Sequence, residues 1–198
     1  MNIFVDTKIF NSMKSFIKER LRTALINEME GKKYDYGCVM LYLDVEPKIW
    51  RGIQDLIDDE DVYSENGYGR ETAIHVTLLY GLHSDVPDEQ IEDAISKMSS
   101  PEVTLKKITT FNNKEYDVVK FDVEGDELYK MNEMLKEFPY TSDFPDFSPH
   151  STICYVKSGK GKKYHKTLSD DEAIVITPNK VVYSKADGTK QEYPFIKK

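Results

Sequence analysis

An α+β fold, built as one domain of two similar lobes, is what this sequence predicts, and three observations carry it. Strand-like and helix-like stretches interleave along the 198 residues, as they do in a mixed fold. Hairpin signals are also present, Asp187-Gly188 above all, which a purely parallel sheet would not contain. A six-residue pattern occurs twice, as His75-Val76-Thr77-Leu78-Leu79-Tyr80 and as His150-Ser151-Thr152-Ile153-Cys154-Tyr155, each copy in a similar strand and helix neighbourhood.

The elements follow from spacing. From Thr7 to Glu30, Phe10, Met13, Ile17, Leu21 and Leu25 recur at helical intervals, and Gly31 is a suitable stop. This predicts an N-terminal amphipathic helix extension over residues 1–33, ahead of a bilobal domain over 34–198. The basic residues of that helix, Lys14, Lys18, Arg20 and Arg22, read first as a solvated face. Tyr36 to Val45 is rich in strand formers. Pro47 suits the first turn of a helix whose apolar face is Ile49, Trp50, Ile53, Leu56 and Ile57. Residues 58–71 are polar, carry Gly67 and Gly69, and predict an exposed loop bordering a site. Ala73 to Gly81 is the next strand, and Pro87 to Met98 a helix with Ile91, Ala94, Ile95 and Met98 on one face.

Strands near Val103–Thr110 and Asp117–Val123 are joined by the turn-like Asn112-Asn113. Asp126 to Phe138 is helical, with Leu128, Met131, Leu135 and Phe138 inward. Three prolines within residues 139–150 predict a stiff, irregular approach to a strand over His150–Val156. A Lys/Gly-rich loop follows over 157–163. Short strands near Ile174–Thr177, Lys180–Ser184 and Gln191–Phe195 close the chain.

Composition narrows the function. Hydrophobic residues are 39% and charged residues 31%, an ordinary balance for a soluble domain. No apolar run approaches the ~20 residues of a membrane span, and the start MNIFVDTKIF lacks the features of a secretory signal, which points to the cytoplasm. A net charge of −8 argues against sequence-blind binding to long nucleic acid, which needs a basic face. A small anionic ligand in a local pocket is compatible with it. Cys38 and Cys154 sit inside apolar runs and read as reduced packing residues, with no pair at zinc spacing.

The repeat carries the chemistry. Side chains alternate faces along a strand, so His75 and Thr77 share one face, as do His150 and Thr152. Strict alternation puts Val76, Leu78 and Tyr80, and Ser151, Ile153 and Tyr155, on the opposite, buried faces. One imidazole and one hydroxyl per strand then project into a common space if the strands lie side by side. Two histidines suit phosphodiester cleavage: a neutral imidazole takes a proton from the attacking oxygen, and an imidazolium protonates the leaving oxygen. Two threonine hydroxyls can hold the non-bridging phosphate oxygens. That chemistry calls for no metal and no cofactor.

With these paired H-x-T motifs, and with Pro149 before the second, residues from about Tyr36 to Phe195 resemble the two-histidine (2H) phosphoesterase superfamily. The resemblance implies two pseudo-symmetric lobes, with antiparallel sheets facing a central cleft and helices outside. It also implies metal-independent cleavage with His75, Thr77, His150 and Thr152 as the catalytic set. The runs YGCVMLYLDV and GYGRETAIHVTLLYGLH, with Trp50 between them, resemble the phage anti-CBASS enzymes, which degrade cyclic di- and trinucleotide second messengers. That narrower likeness implies a small cyclic oligonucleotide substrate, a host-cell cytoplasm and evasion of bacterial CBASS defence. An RNA-end phosphodiesterase acting on 2′,3′-cyclic or 2′-5′ linkages, and a non-catalytic sponge for cyclic nucleotides, remain open. So do base preference, ring size, oligomeric state and which histidine is the acid.

A nucleotide also needs a surface on which its base can stack. Tyr34, Tyr36, Trp50, Tyr68, Phe144 and Phe147 are the aromatic candidates. Tyr36, at a strand start, and Tyr68, between two glycines before the first motif, are the substrate-binding expectations. Trp50 and Phe144 read first as core. His83 and His165 read as surface histidines, and Lys160, Lys162, Lys163 and Lys166 as a solvated basic loop.

Overall fold

A computed structural model describes residues 35–144 and 146–195; the helix expected over Thr7–Glu30 and the candidate Tyr34 lie outside them. The strands are β1 (Tyr36–Tyr42), β2 (His75–His83), β3 (Val103–Asn112), β4 (Tyr116–Glu124), β5 (His150–Lys157), β6 (Lys166–Thr167), β7 (Ile174–Ile176), β8 (Lys180–Ser184) and β9 (Lys190–Pro194). The helices are α1 (Pro47–Gln54), α2 (Asp88–Ser96) and α3 (Asp126–Leu135).

Two antiparallel sheets form, in the orders β2-β1-β8-β9 and β5-β4-β3-β6, with β7 also paired to β3. The α+β fold with two antiparallel sheets is therefore as expected. The repeat is built into the topology: β1-α1-β2 and β4-α3-β5 are matching strand–helix–strand units, and each ends in an H-x-T strand. Those two strands, β2 and β5, belong to different sheets and lie next to each other.

One apolar core serves both units. Val39, Leu41, Val76 and Leu78 of the first sheet join Val119, Phe121, Ile153 and Val156 of the second, under Ile53, Ile91, Ile95, Leu128 and Leu135 from the helices. Burying side chains of this size contributes roughly 1.5–3 kcal/mol each relative to leaving them exposed.

Several expectations need correcting. Ile49 and Leu56 are not on a buried face of α1; each is 46% exposed, and they border an open groove with Leu168 and Val175. Phe144 is 80% exposed rather than core. The segment 58–71 is not a free loop. It forms turns at Asp59–Asp61 and Glu65–Gly67 and lies along the edge of β5, where Val62 pairs with Val156 and Arg70 with Cys154. The approach 139–141 likewise runs beside β2, the Thr141 N–H donating to the Gly81 carbonyl at 2.9 Å. A side chain at Gly81 would meet the Thr141 carbonyl oxygen at 1.8 Å, and its φ of 92° is left-handed, so both space and backbone require glycine there.

Candidate active site

The two H-x-T strands do not alternate strictly, and the departure shapes the site. Along β1 and β2 the pairing runs Val39 to Leu79 and then Met40 to Thr77, leaving Leu78 as an extra residue. Along β4 and β5 it runs Val119 to Cys154 and then Lys120 to Thr152, leaving Ile153 as the extra residue. A bulge therefore follows the motif threonine in both strands, at the same place. Leu78 and Leu79 are consequently both buried, as are Ile153 and Cys154. Tyr80 and Tyr155 are moved off the core faces on which strict alternation would put them; Tyr80 is 58% exposed and Tyr155 half-buried.

His75, Thr77, His150 and Thr152 are all half-buried. Each histidine is fixed in the same way. His75 Nδ1–H donates to the Ala73 carbonyl at 2.6 Å, and His150 Nδ1–H donates to the Ser148 carbonyl at 2.8 Å. A carbonyl only accepts, so these partners assign the hydrogen to Nδ1 and leave Nε2 of a neutral ring as a lone-pair acceptor. Burial holds the His150 imidazole below its ordinary range, against the Ser148 carbonyl, which favours the charged form. The charges of Lys120 and His75 add to the lowering, so the two imidazoles lie within each other's electrostatic reach.

Residues that strand spacing does not reveal complete each half. Tyr42, paired with His75 on β1, meets that imidazole edge-on, with ring centroids 5.9 Å apart at 81°. Lys190 from β9 donates to the Tyr42 hydroxyl at 3.0 Å. On the other side Phe111 of β3 meets His150 edge-on at 4.9 Å and 85°. Lys120 lies 4.2 Å above the centre of the Phe111 ring. Each histidine thus has an aromatic ring against it and a lysine against the ring. The threonines differ in neighbour: Thr77 lies beside the Cys38 thiol, and Thr152 beside the Tyr155 hydroxyl. Cys38 is therefore not simply packed in an apolar run. Its thiol is pushed up to about 12, chiefly by burial, and so remains protonated and unreactive at neutral pH.

Of the two tyrosines expected to bind substrate, Tyr36 lies at the far end of β1 from Tyr42, and Tyr68 packs on Tyr155 of the second motif strand. Tyr36 packs against Tyr80 and His83 at the start of β1, six residues or roughly 20 Å of strand from Tyr42. Tyr68 belongs to a cluster with Tyr63, Tyr116 and Tyr155, with ring centroids 4.6–6.0 Å from its own. Trp50 donates its indole N–H to the Glu71 carbonyl at 3.2 Å, and Gln54 donates to the same oxygen at 2.6 Å, fixing the approach to His75. Lys163 pairs with Asp58 and Asp61, both at 2.6–2.7 Å, rather than extending as a free basic loop. Among the described residues no group of three or more His, Cys, Asp or Glu side chains could hold a metal ion, and no helix is long and apolar enough to cross a membrane.

Residues 55–187 match the sequence profile of the family described as anti-CBASS protein Acb1. No curated protein sequence matches the chain. Among solved structures it is similar to Usb1 of Kluyveromyces marxianus, with a TM-score of 0.55, 11% identity, and coverage of 82% of this chain and 99% of that one. The same protein with uridine monophosphate gives a TM-score of 0.52 at 11% identity, with coverage of 82% and 99%. LigT of E. coli complexed with 3′-AMP gives 0.47 at 16% identity, with coverage of 81% and 96%. The likeness to Usb1 concerns the fold.

Proposed function

This chain belongs to the anti-CBASS protein Acb1 family and is by class a phosphodiesterase with the two-histidine phosphoesterase fold, and from that premise we propose that it hydrolyses 3′-5′ linkages of cyclic di- and trinucleotide second messengers. The observation that carries the mechanism is the matched pair of Nδ1–H bonds to Ala73 and Ser148, which leaves one Nε2 per motif free for proton transfer. The ribose 2′-oxygen bonds to phosphorus as the bond from phosphorus to the 5′-oxygen breaks. One neutral imidazole takes the 2′-OH proton, and the other, as imidazolium, gives its Nε2 proton to the 5′-oxygen. Thr77 and Thr152 donate to the non-bridging oxygens. Water then opens the 2′,3′-cyclic phosphate with the two imidazoles exchanging roles. Both proton transfers are supplied by side chains, so the reaction calls for no metal.

Tyr42 and Phe111, each beside a histidine, are the stacking surfaces for bases flanking the scissile phosphate. Tyr36, further along β1, and Tyr68, on the segment beside β5, serve the more distant parts of a larger ring. The place of action is the cytoplasm of an infected bacterium, where removal of the messenger silences CBASS defence.

Mass spectrometry of cyclic di- and trinucleotides incubated with the protein tests this. Linear products, with 2′,3′-cyclic phosphate ends appearing first, are expected. Recovery of intact messenger from a bound state would instead mean sequestration. Turnover of RNA cyclic-phosphate ends with the messengers untouched would mean an RNA-end enzyme.

A further inference from the structure

The sequence repeat is symmetric, but the charges around the two histidines are not. At the rung opposite Thr77 the first lobe carries Met40; at the rung opposite Thr152 the second carries Lys120. Lys120 is buried at 3% exposure. Its ammonium donates to Thr109 Oγ1 at 2.8 Å and to the Asp122 carboxylate, and lies over the Phe111 ring that meets His150. An ammonium has three N–H groups. Two are committed to Thr109 and Asp122, and the remaining side of the cation faces the ring, so Lys120 acts on the site through its field rather than by touching phosphate.

We propose that Lys120 is a positioning residue that makes the two histidines inequivalent, adding to burial in favouring neutral His150 as the base toward the 2′-OH in the first step and leaving His75 to protonate the 5′-oxygen. The assignment rests on the two-histidine reading above and settles the one role that the repeat leaves open. A buried cation near an imidazole opposes a second positive charge, and screening by water is weak at such a depth. The groups facing His150 are Lys120 and Asp122 on β4, Phe111 on β3 and His75 on β2, with Lys107 of β3 acting in turn on Asp122. Asp122 works against Lys120 at His150, but its carboxylate is engaged by Lys120 and Thr109. Lys190, the lysine of the other half, is exposed and bonds the Tyr42 hydroxyl, so water screens it.

The test uses Lys120→Met, which copies Met40, the double variant Lys120→Met with Asp122→Asn, which leaves no unpaired carboxylate, and Lys120→Arg. NMR titration of the His150 imidazole, without substrate, reads the field directly, each variant being compared with the parent protein. The His150 midpoint is expected to rise measurably in Lys120→Met, by less in the double variant, and to stay in place in Lys120→Arg. The acid limb of kcat/KM for the first cleavage should move up with it. A purely structural lysine would lower the plateau and leave the limb where it is. An unmoved His150 midpoint overturns the proposal, as does a rise in Lys120→Met that disappears in the double variant, since the freed Asp122 carboxylate would then be its cause. A midpoint that moves while the limb does not overturns the base assignment. A midpoint that moves in a protein that cleaves no cyclic messenger overturns the functional reading and leaves the influence of Lys120 on His150 standing.

Discussion

The side-chain amide of Asn132 donates to the main-chain oxygen of Leu78 at 2.7 Å. Leu78 is the extra residue of the β2 bulge, one position after Thr77, whereas Asn132 is on α3, the helix that leads to the other motif. The reciprocal bond is made by backbone: the Glu71 N–H, on the approach to His75, donates at 3.0 Å to the carbonyl of Ile153, the extra residue of the β5 bulge. Each bulge is therefore held from the opposite half, which couples the placement of the two threonines.

Asn132 is buried at 3% exposure, so its loss is not replaced by water. Asn132→Ala should cost about 1–3 kcal/mol of stability, the usual consequence of leaving a buried partner unpaired. At temperatures where the variant is folded, first-step kcat should fall on the order of tenfold or more, because Thr77 is no longer held. Denaturant melts and single-turnover cleavage measure the two effects separately.

The bulges explain what the sequence discloses and what it withholds. A period of two fixes His and Thr on a common face whatever the neighbouring strand, so His75 with Thr77, and His150 with Thr152, are legible directly. The same period misplaces Tyr80 and Tyr155, because an extra residue intervenes. The signal is present in hindsight: Leu78-Leu79 and Ile153-Cys154 are adjacent apolar pairs in strands that otherwise alternate, at the same offset in both copies. Tyr42, Phe111, Lys120 and Lys190 come from four different strands and reach the histidines through sheet order and register, which local spacing does not encode. Phe111 in particular falls just past the strand expected near Val103–Thr110, which runs on to Asn112. The apolar faces of α2 and α3 are legible because their amphipathic spacing is regular, but Ile49 and Leu56 fit the spacing of α1 and are still exposed, because nothing among the described residues covers that side.

Asp61 predicts an acid-sensitive contact. Its buried carboxylate accepts from Tyr164 at 2.6 Å and pairs with Lys163 at 2.6 Å, joining the segment before the first motif to the turn after the second. Lys163 first, then Tyr164, hold this carboxyl below its ordinary value. A carboxyl lowered in the folded state contributes stability that is fully present above its unfolded pKa, about 4, and is lost as the pH falls through the lower folded value. Asp61→Asn should therefore lower the Tm at pH 7, and the difference from the parent should shrink as the pH drops below about 4. Melts across that range, read by circular dichroism, would show a constant difference if the charge were irrelevant.

Chelators should leave the rate unchanged, since the two imidazoles supply both proton transfers. Cleavage assayed with and without EDTA, followed by restoration with a divalent ion, checks this. Activity lost to the chelator and regained with the ion would contradict the mechanism.

The histidines and the nucleophile can be tested together. His75→Ala or His150→Ala removes one proton-transfer partner, an effect typically worth ~10²–10⁴ in rate. Both side chains are half-buried, hydrogen-bond to nearby carbonyls and each meets one aromatic ring edge-on, so the melting temperature should move little. Groups that act as a unit are non-additive, so the double variant should be scarcely slower than the worse single one. Thr77→Val and Thr152→Val should cost less, because each removes one phosphate donor and leaves both imidazoles in place. The substrate supplies the sharpest control. If the 2′-oxygen is the nucleophile, a 2′-deoxy cyclic dinucleotide should bind with an affinity close to that of its ribose counterpart and resist cleavage altogether. Its efficient hydrolysis would mean that water attacks phosphorus directly, and the proton taken by the base imidazole would then come from water rather than from the ribose.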